Sequence, residues 1–281
     1  MSCEKDLIEP SENTSIDSRS TPTANRAFFY ALSASGELLQ MASGSPSQVL
    51  GSNTITGLVA NEYLLAIDFR PATGQLYAVS NQSRLYTINL KTGRAVAVNA
   101  TPFTPVINGE VVGFDFNPTV DRIRLVTANE QNLRIHPETG AVAATDGNLN
   151  PGNGNVSAVA YTNSVAGATM TTLYDIDFNS GKLFRQAPLN DGTLVEIGSL
   201  GVSGLSEGGF DISFDNRYAL AVASLTDDAA GTSIIYSINL ITGAATAIGK
   251  MDKRLMGIAI PTAPVAYAID LDQQLWIFNP Q

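Results

Sequence analysis

A unit of four short apolar segments recurs roughly every 45 to 52 residues from about Leu64 onward, and that period with that segment count marks a propeller blade. Copies begin at Leu65-Ala66-Ile67-Asp68-Phe69, at Gly113-Phe114-Asp115-Phe116, around Val159-Ala160-Tyr161, at Gly209-Phe210-Asp211-Ile212 and around Ile258-Ala259-Ile260. Within a copy, large apolar residues alternate with small or polar ones, as in Leu76-Tyr77-Ala78-Val79 and Leu85-Tyr86-Thr87-Ile88, which suits a half-buried pleated strand. Thr-Gly turns at Gly93, Gly140 and Gly243, and an Asp-Gly turn at Gly192, separate the last two segments; glycine there tolerates positive φ. No stretch carries a helical period of useful length. The fold class is all-β, a β-propeller.

The ends tile unevenly. The region 27–52 reads as second, third and fourth strands without a first. The last copy has first, second and third strands (Ile258, Val265-Ala266-Tyr267, Leu275-Trp276-Ile277-Phe278) and no fourth. Counting innermost strands gives five blades and counting second strands gives six. Six is the favoured reading, five the alternative, with strands from both ends of the chain sharing ring closure, which protects sheet edges.

Residues 1–26 form a polar segment rich in Ser, Thr, Asn and acidic side chains, a linker composition; residues 27–281 are the propeller domain. The sole cysteine, Cys3, excludes a disulfide within one molecule. At the head of such a tail it resembles the lipid-bearing cysteine of a bacterial lipoprotein, which places the domain outside the cytoplasm, at the cell surface or in the periplasm, with any membrane contact made through that anchor. No run approaches the roughly 20 apolar residues of a membrane-spanning helix. A formal charge of −10 argues against nucleic acid, whose binding needs basic residues to neutralise phosphates.

The run Leu65-Ala66-Ile67-Asp68-Phe69-Arg70-Pro71-Ala72-Thr73-Gly74-Gln75-Leu76-Tyr77-Ala78, together with Gly113-Phe114-Asp115-Phe116-Asn117-Pro118 and Asn132-Leu133-Arg134, resembles a bacterial secreted family known as domain of unknown function 4394. The resemblance covers about 29–278 and implies a secreted or surface propeller-like domain. It brings no catalytic residues with it.

Three innermost strands carry an aspartate at one shared position: Asp68, Asp115 and Asp211. The other two place Ala160 and Ala259 there. Carboxylates converging near an axis are candidate ligands for Ca²⁺, which takes six to eight oxygens; equally, they are acceptors for the backbone of a neighbouring blade or for an arginine, with Asp121, Arg122 and Arg124 as nearby charge partners. No other cofactor is implied. His136 is the only histidine, which removes multi-histidine metal sites and weakens any Ser-His-Asp reading. The glycine-rich run from Asp146 to Asn155 lacks the Gly-Lys-Ser ending of a phosphate loop and reads as an inter-blade loop. Asp175, Asp177 and Asn179 alternate like a calcium loop but lack its closing glutamate, so a turn is expected. The loop 225–232 with Asp227 and Asp228, and Trp276 on the last strand, are the candidate binding residues.

Three function classes follow. The first is a binding or scaffold module presenting a rigid disc to a protein or glycan at the cell exterior. The second is a self-assembling subunit, a homo-oligomer built by strand exchange through the tail and the incomplete blades. The third is a Ca²⁺-dependent propeller enzyme of lactonase, lyase or hydrolase type, for which fold alone gives no licence and no catalytic group stands out.

Overall fold

The computed structural model describes residues 27–151, 155–226, 228, 231–264, 266–269 and 275–278. The strands are, in chain order, β1 (Phe28–Ser33), β2 (Glu37–Ala42), β3 (Gly51–Thr54), β4 (Leu64–Phe69), β5 (Leu76–Ser80), β6 (Leu85–Ile88), β7 (Ala95–Ala97), β8 (Val112–Asn117), β9 (Arg122–Thr127), β10 (Asn132–Ile135) and β11 (Val142–Thr145). They continue with β12 (Ala158–Tyr161), β13 (Leu173–Asp177), β14 (Lys182–Gln186), β15 (Leu194–Ser199), β16 (Leu205–Ile212), β17 (Ala219–Leu225), β18 (Ser233–Ile238), β19 (Ala245–Met251), β20 (Leu255–Ala259), β21 (Ala266–Ile269) and β22 (Leu275–Phe278). No helix occurs among the described residues.

Five four-stranded antiparallel sheets form the ring. Blades I to IV are β4–β7, β8–β11, β12–β15 and β16–β19, each an up-and-down meander. Blade V takes its inner strand, β20, from late in the chain and its outer three, β1, β2 and β3, from early in it. The register Tyr30↔Ala259, Ala31↔Ile258, Leu32↔Gly257 closes the circle. The inner strands β4, β8, β12, β16 and β20 each touch the next around the axis, and β20 returns to β4.

The favoured count of six blades is therefore corrected to five. The sixth second-strand pattern belongs to β21, which among the described residues pairs only with β22, in a two-stranded sheet. The outer edge of β20 accepts one partner and β1 holds it, so β21 cannot also lie there. The reading of 27–52 as second to fourth strands matches β1 to β3, with the last strand at Gly51–Thr54.

One hydrophobic cluster fills each of the five blade interfaces, because each blade turns an apolar face to both neighbours. Tyr77, Phe114 and Phe116 pack between blades I and II; Val126, Tyr161 and Leu173 between II and III; Ile176, Phe210 and Tyr236 between III and IV. Phe29, Met41, Leu220 and Ile258 join IV to V, and Leu32, Ile67, Phe69 and Tyr86 join V to I. A second-strand tyrosine meets the aromatic of the following blade twice: Tyr77–Phe116 at 5.2 Å, edge-on, and Tyr30–Phe69 at 5.7 Å, tilted.

Near the axis the blades crowd, and small residues are required there. Ala66, Gly113, Ala158, Gly209 and Gly257 occupy one level of the five inner strands. A Cβ on Gly113 would lie 2.8 Å from Val159, and one on Gly209 2.7 Å from the Gly257 backbone. The space left at this level is about 10 Å³, at the lower limit for one water. The axis is shut.

Candidate functional site

Two residues beyond the small-residue level lie Asp68, Asp115 and Asp211, which come together as the repeat implied. Each can offer one carboxylate oxygen such that all three lie within 4.8 Å of one another. They are buried, at 4%, 3% and 4% exposure. Each bridges two blades by the same device. Asp68 accepts from the N–H of Phe69 at 2.7 Å through one oxygen, and from the N–H of Phe116 in blade II at 2.8 Å through the other. Asp115 accepts from Phe116 and from Tyr161 of blade III. Asp211 accepts from Ile212 and from Ile260, the residue that follows β20. Interfaces III/IV and V/I have Ala160 and Ala259 at this position.

Among the described residues no arginine takes part. Arg124 reaches instead to Asp146 at 2.6 Å, and Asp121 pairs with Arg70 of blade I; Arg122 donates to backbone carbonyls. Of the two acceptor roles open to the aspartates, the neighbouring backbone fills the one and arginine none. Burial drives the carboxyls of Asp68 and Asp115 well above the usual range, repulsion from the other carboxylates adds to it, and the N–H donors pull back. Asp211 is pushed by burial up to about 7. These shifts favour the protonated acid, which holds its N–H contacts without a buried charge.

Toward Ca²⁺ the cluster could offer one carboxylate oxygen from each residue; the rest of the six to eight oxygens the ion takes would have to come from water, alongside the N–H contacts that Asp68 and Asp211 already hold.

That mouth holds the larger feature. The turns joining second to third strands and the connections from fourth to first strands share one face of the disc, because the strands run antiparallel. Three adjoining depressions open there. The largest, about 710 Å³, lies between blades IV and V and is lined by Ser35, Ser206, Ser224, Thr226, Asp228, Lys253 and Arg254 among others. A second, about 220 Å³, sits at the axial mouth between Tyr63, Glu110, Glu207, Arg254 and Met256. A third, about 270 Å³, lies between blades V and I beneath Tyr63 and Ser35. Ala34 lines all three, which adjoin around it and are called the groove below. Its cations are held by acids: Arg254 by Glu207, and Lys253 by Glu37 at 2.6 Å. Tyr63 stands 44% exposed and donates its hydroxyl to Glu110 at 3.2 Å.

Of the residues singled out for binding, Asp228 lines this groove, where its carboxylate accepts from the N–H of Thr232 at 3.0 Å. Asp227 and Cys3 lie outside the described residues. Trp276 lies on β22 opposite Ala268, its side chain outside what is described. His136 accepts from the N–H of Glu138 through Nδ1 at 3.2 Å in a turn. Asp177 caps the turn at Ser180 at 2.9 Å, as its spacing implied. Sequence reasoning missed Ser35, Tyr63, Glu110, Ser206, Lys253 and Arg254. The signal was there: each sits at a second-to-third turn or at the entry to a first strand, and the repeat alignment puts all such points on one face.

A second buried polar cluster joins blades II and III. Arg124, 1% exposed, occupies the register position that Tyr77 fills in blade I, opposite the clasp aspartate. It donates to Tyr161 Oη at 3.3 Å, Asn132 Oδ1 at 2.6 Å, Asp146 and Asn190 Oδ1 at 3.1 Å. Asp175, on β13, is fully buried with neither carboxylate oxygen hydrogen-bonded. Burial raises its carboxyl to about 8 despite Arg124 nearby.

The family model Domain of unknown function (DUF4394) matches residues 37–259. The chain belongs to this family. No curated protein matches it. Among solved structures it is similar to a protein of unknown function from Bacteroides thetaiotaomicron, at 11% identity and TM-score 0.48, covering 79% of this chain and 57% of that one. It is similar also to a chain of a nidogen/laminin complex, at 10% identity and TM-score 0.44, covering 84% and 98%. By its own five sheets the family member described here is a five-bladed propeller, a fold that hosts many unrelated functions.

Proposed function

We propose that this family member is an extracytoplasmic binding module, anchored through lipid on Cys3, whose face groove receives a glycan. The observation that supports this is the set of depressions around Ala34, whose lining combines six serine and threonine hydroxyls, four carboxylates and one exposed tyrosine. Carboxylates accept the hydroxyl protons of a sugar, serine and threonine hydroxyls exchange both donor and acceptor roles, and an exposed aromatic packs against the apolar face of a pyranose. The neutralised cations, Lys253 with Glu37 and Arg254 with Glu207, leave little attraction for an anionic ligand.

The test is binding of a panel of neutral and acidic oligosaccharides, read by calorimetry, to the wild-type chain and to Ala34→Trp. Ala34 is exposed at the junction of the three depressions, so the indole fills the groove without entering a blade. Neutral glycan binding, weakened at least about tenfold by the substitution with the melt unchanged, is expected. Retention of full affinity in Ala34→Trp, or capture of a protein with no glycan bound, overturns it.

A further inference from the structure

The chain carries two hairpins built to one pattern, and blade V has room for one. Phe29-Tyr30-Ala31-Leu32 of β1 corresponds to Ala266-Tyr267-Ala268-Ile269 of β21, and Leu38-Leu39-Gln40-Met41 of β2 to Leu275-Trp276-Ile277-Phe278 of β22. Five residues separate the two halves in each. The registers coincide pair for pair: Phe29↔Met41, Tyr30↔Gln40, Ala31↔Leu39 and Leu32↔Leu38 in one, Ala266↔Phe278, Tyr267↔Ile277, Ala268↔Trp276 and Ile269↔Leu275 in the other. Tyr267 is also the counterpart of Tyr77 and Tyr174, each the second residue of the second strand in blades I and III.

The substitutions compensate in volume. On the face that β1–β2 turns to blade IV, Phe29, Ala31, Leu39 and Met41 correspond to Ala266, Ala268, Trp276 and Phe278. The loss at Phe29 is offset by the gain at Leu39, the kind of exchange a core tolerates when total volume is kept. On the other face Tyr30, Leu32, Leu38 and Gln40 become Tyr267, Ile269, Leu275 and Ile277. Every apolar position stays apolar.

The spacing also fits. Partners across the first two strands of a blade lie nine residues apart at Asp68↔Tyr77 and Asp211↔Leu220; Ala259 and Tyr267 are eight apart. β21 therefore follows β20 as a second strand follows a first. Ile269, the counterpart of the 1% exposed Leu32, stands 72% exposed, a seat-filling side chain without its seat.

We propose that β21–β22 is a second, tethered hairpin for blade V, and that the ring has two closed forms: one with β1–β2 beside β20, and one with β21–β22 there. The short tether gives the second hairpin a high effective concentration at β20. In the second form residues 27–54 leave the ring as an arm continuous with the tail. The exchange takes place within one molecule, in contrast to assembly by strand addition, and because it withdraws Ala34 and Ser35 from the groove, a groove ligand would favour the first form.

The test uses the full chain with Cys3→Ser and three introduced thiols, Ala31→Cys, Ile258→Cys and Ala268→Cys. Position 258 faces position 31 in the present register and position 268 in the proposed form. Peptide mapping after equilibration in a thiol–disulfide buffer is expected to find both the 258–31 and the 258–268 links in monomers. Adding Leu39→Asp, which weakens the β1–β2 seat, is expected to raise the 258–268 share about tenfold with a cooperative melt retained. A 258–268 link that never forms or forms only in covalent dimers, or a Leu39→Asp chain that no longer melts cooperatively, overturns the proposal. Hydrogen exchange gives a readout free of thiols. Ala268→Asp, which bars the second form, is expected to slow exchange of the β1–β2 amides about tenfold and leave β5 unchanged; an unchanged rate in β1–β2 overturns it as well.

Discussion

Asp68 accepts the backbone N–H of Phe116, 48 residues away in the next blade, at 2.8 Å. With its other oxygen on Phe69, it pins the end of one inner strand to the end of the next. Asp115 and Asp211 repeat the contact at two further interfaces.

Removing one such clasp leaves two buried donors without acceptors. Asp68→Ala is expected to lower the unfolding free energy by about 2–4 kcal/mol, since an unsatisfied buried group costs about 1–3 kcal/mol. Urea denaturation checks it. A loss below about 0.5 kcal/mol would show that Phe69 and Phe116 find other partners.

Four buried carboxyls titrate upward: Asp68, Asp115, Asp211 to about 7 and Asp175 to about 8. An unfolded aspartate titrates near 3.9. The folded state thus binds more protons than the unfolded one between pH 4 and the folded values, and stability falls as pH rises through that window. Each group contributes at most about 1.4 kcal/mol per pH unit. The urea midpoint is expected to be higher at pH 5 than at pH 8, and Asp175→Asn to flatten the slope. A midpoint that climbs with pH would mean that the carboxylates are charged and compensated.

Such compensation is what bound Ca²⁺ would provide. With the N–H contacts described and the axis shut at Gly113 and Gly209, millimolar Ca²⁺ or a chelator is expected to leave the melting temperature unchanged within about 1 °C. A Ca²⁺-dependent rise, lost in Asp211→Asn, would restore the ion reading.

Arg124 has five donors and finds oxygens on both blades II and III. Arg124→Lys keeps the charge but supplies three donors from one point, leaving Tyr161 or Asn190 unmatched. It is expected to cost nearly as much as Arg124→Ala, about 3–5 kcal/mol for breaking a buried ionic network, measured by the same denaturation series. A lysine variant as stable as wild type would reduce the cluster to simple charge pairing with Asp146.

The repeat made the blades legible because a blade is a local object: alternation in Leu76-Tyr77-Ala78-Val79 and a turn at Gly93 are decided within a few residues of each other. The number of blades was not legible in the same way. β1 and β21 carry the same pattern, and pattern states what a strand can pair with, not which of two candidates takes the single edge of β20. The aspartates could be picked out because Asp68, Asp115 and Asp211 share a repeat position, and the backbone of the neighbouring blade was among the partners expected; the choice between it, an arginine and an ion could not be made, since backbone N–H groups leave no trace in side-chain identity. The groove was hidden for a different reason. Ala34, Tyr63, Glu110 and Arg254 fall in turns without a common motif, and only the face they share assembles them.

The pairing of Ser33 with Leu255 sets a timetable for synthesis. The strands that complete blade V leave the ribosome before those of blades I to IV, and the edge they need leaves after them. At roughly 5–20 residues per second, Phe29 and Met41 wait on the order of ten seconds or more for the neighbours that will cover them. During that interval the nascent chain offers a greasy hairpin to any chaperone or export factor that meets it, so its early handling in the cell depends on where β20 is encoded.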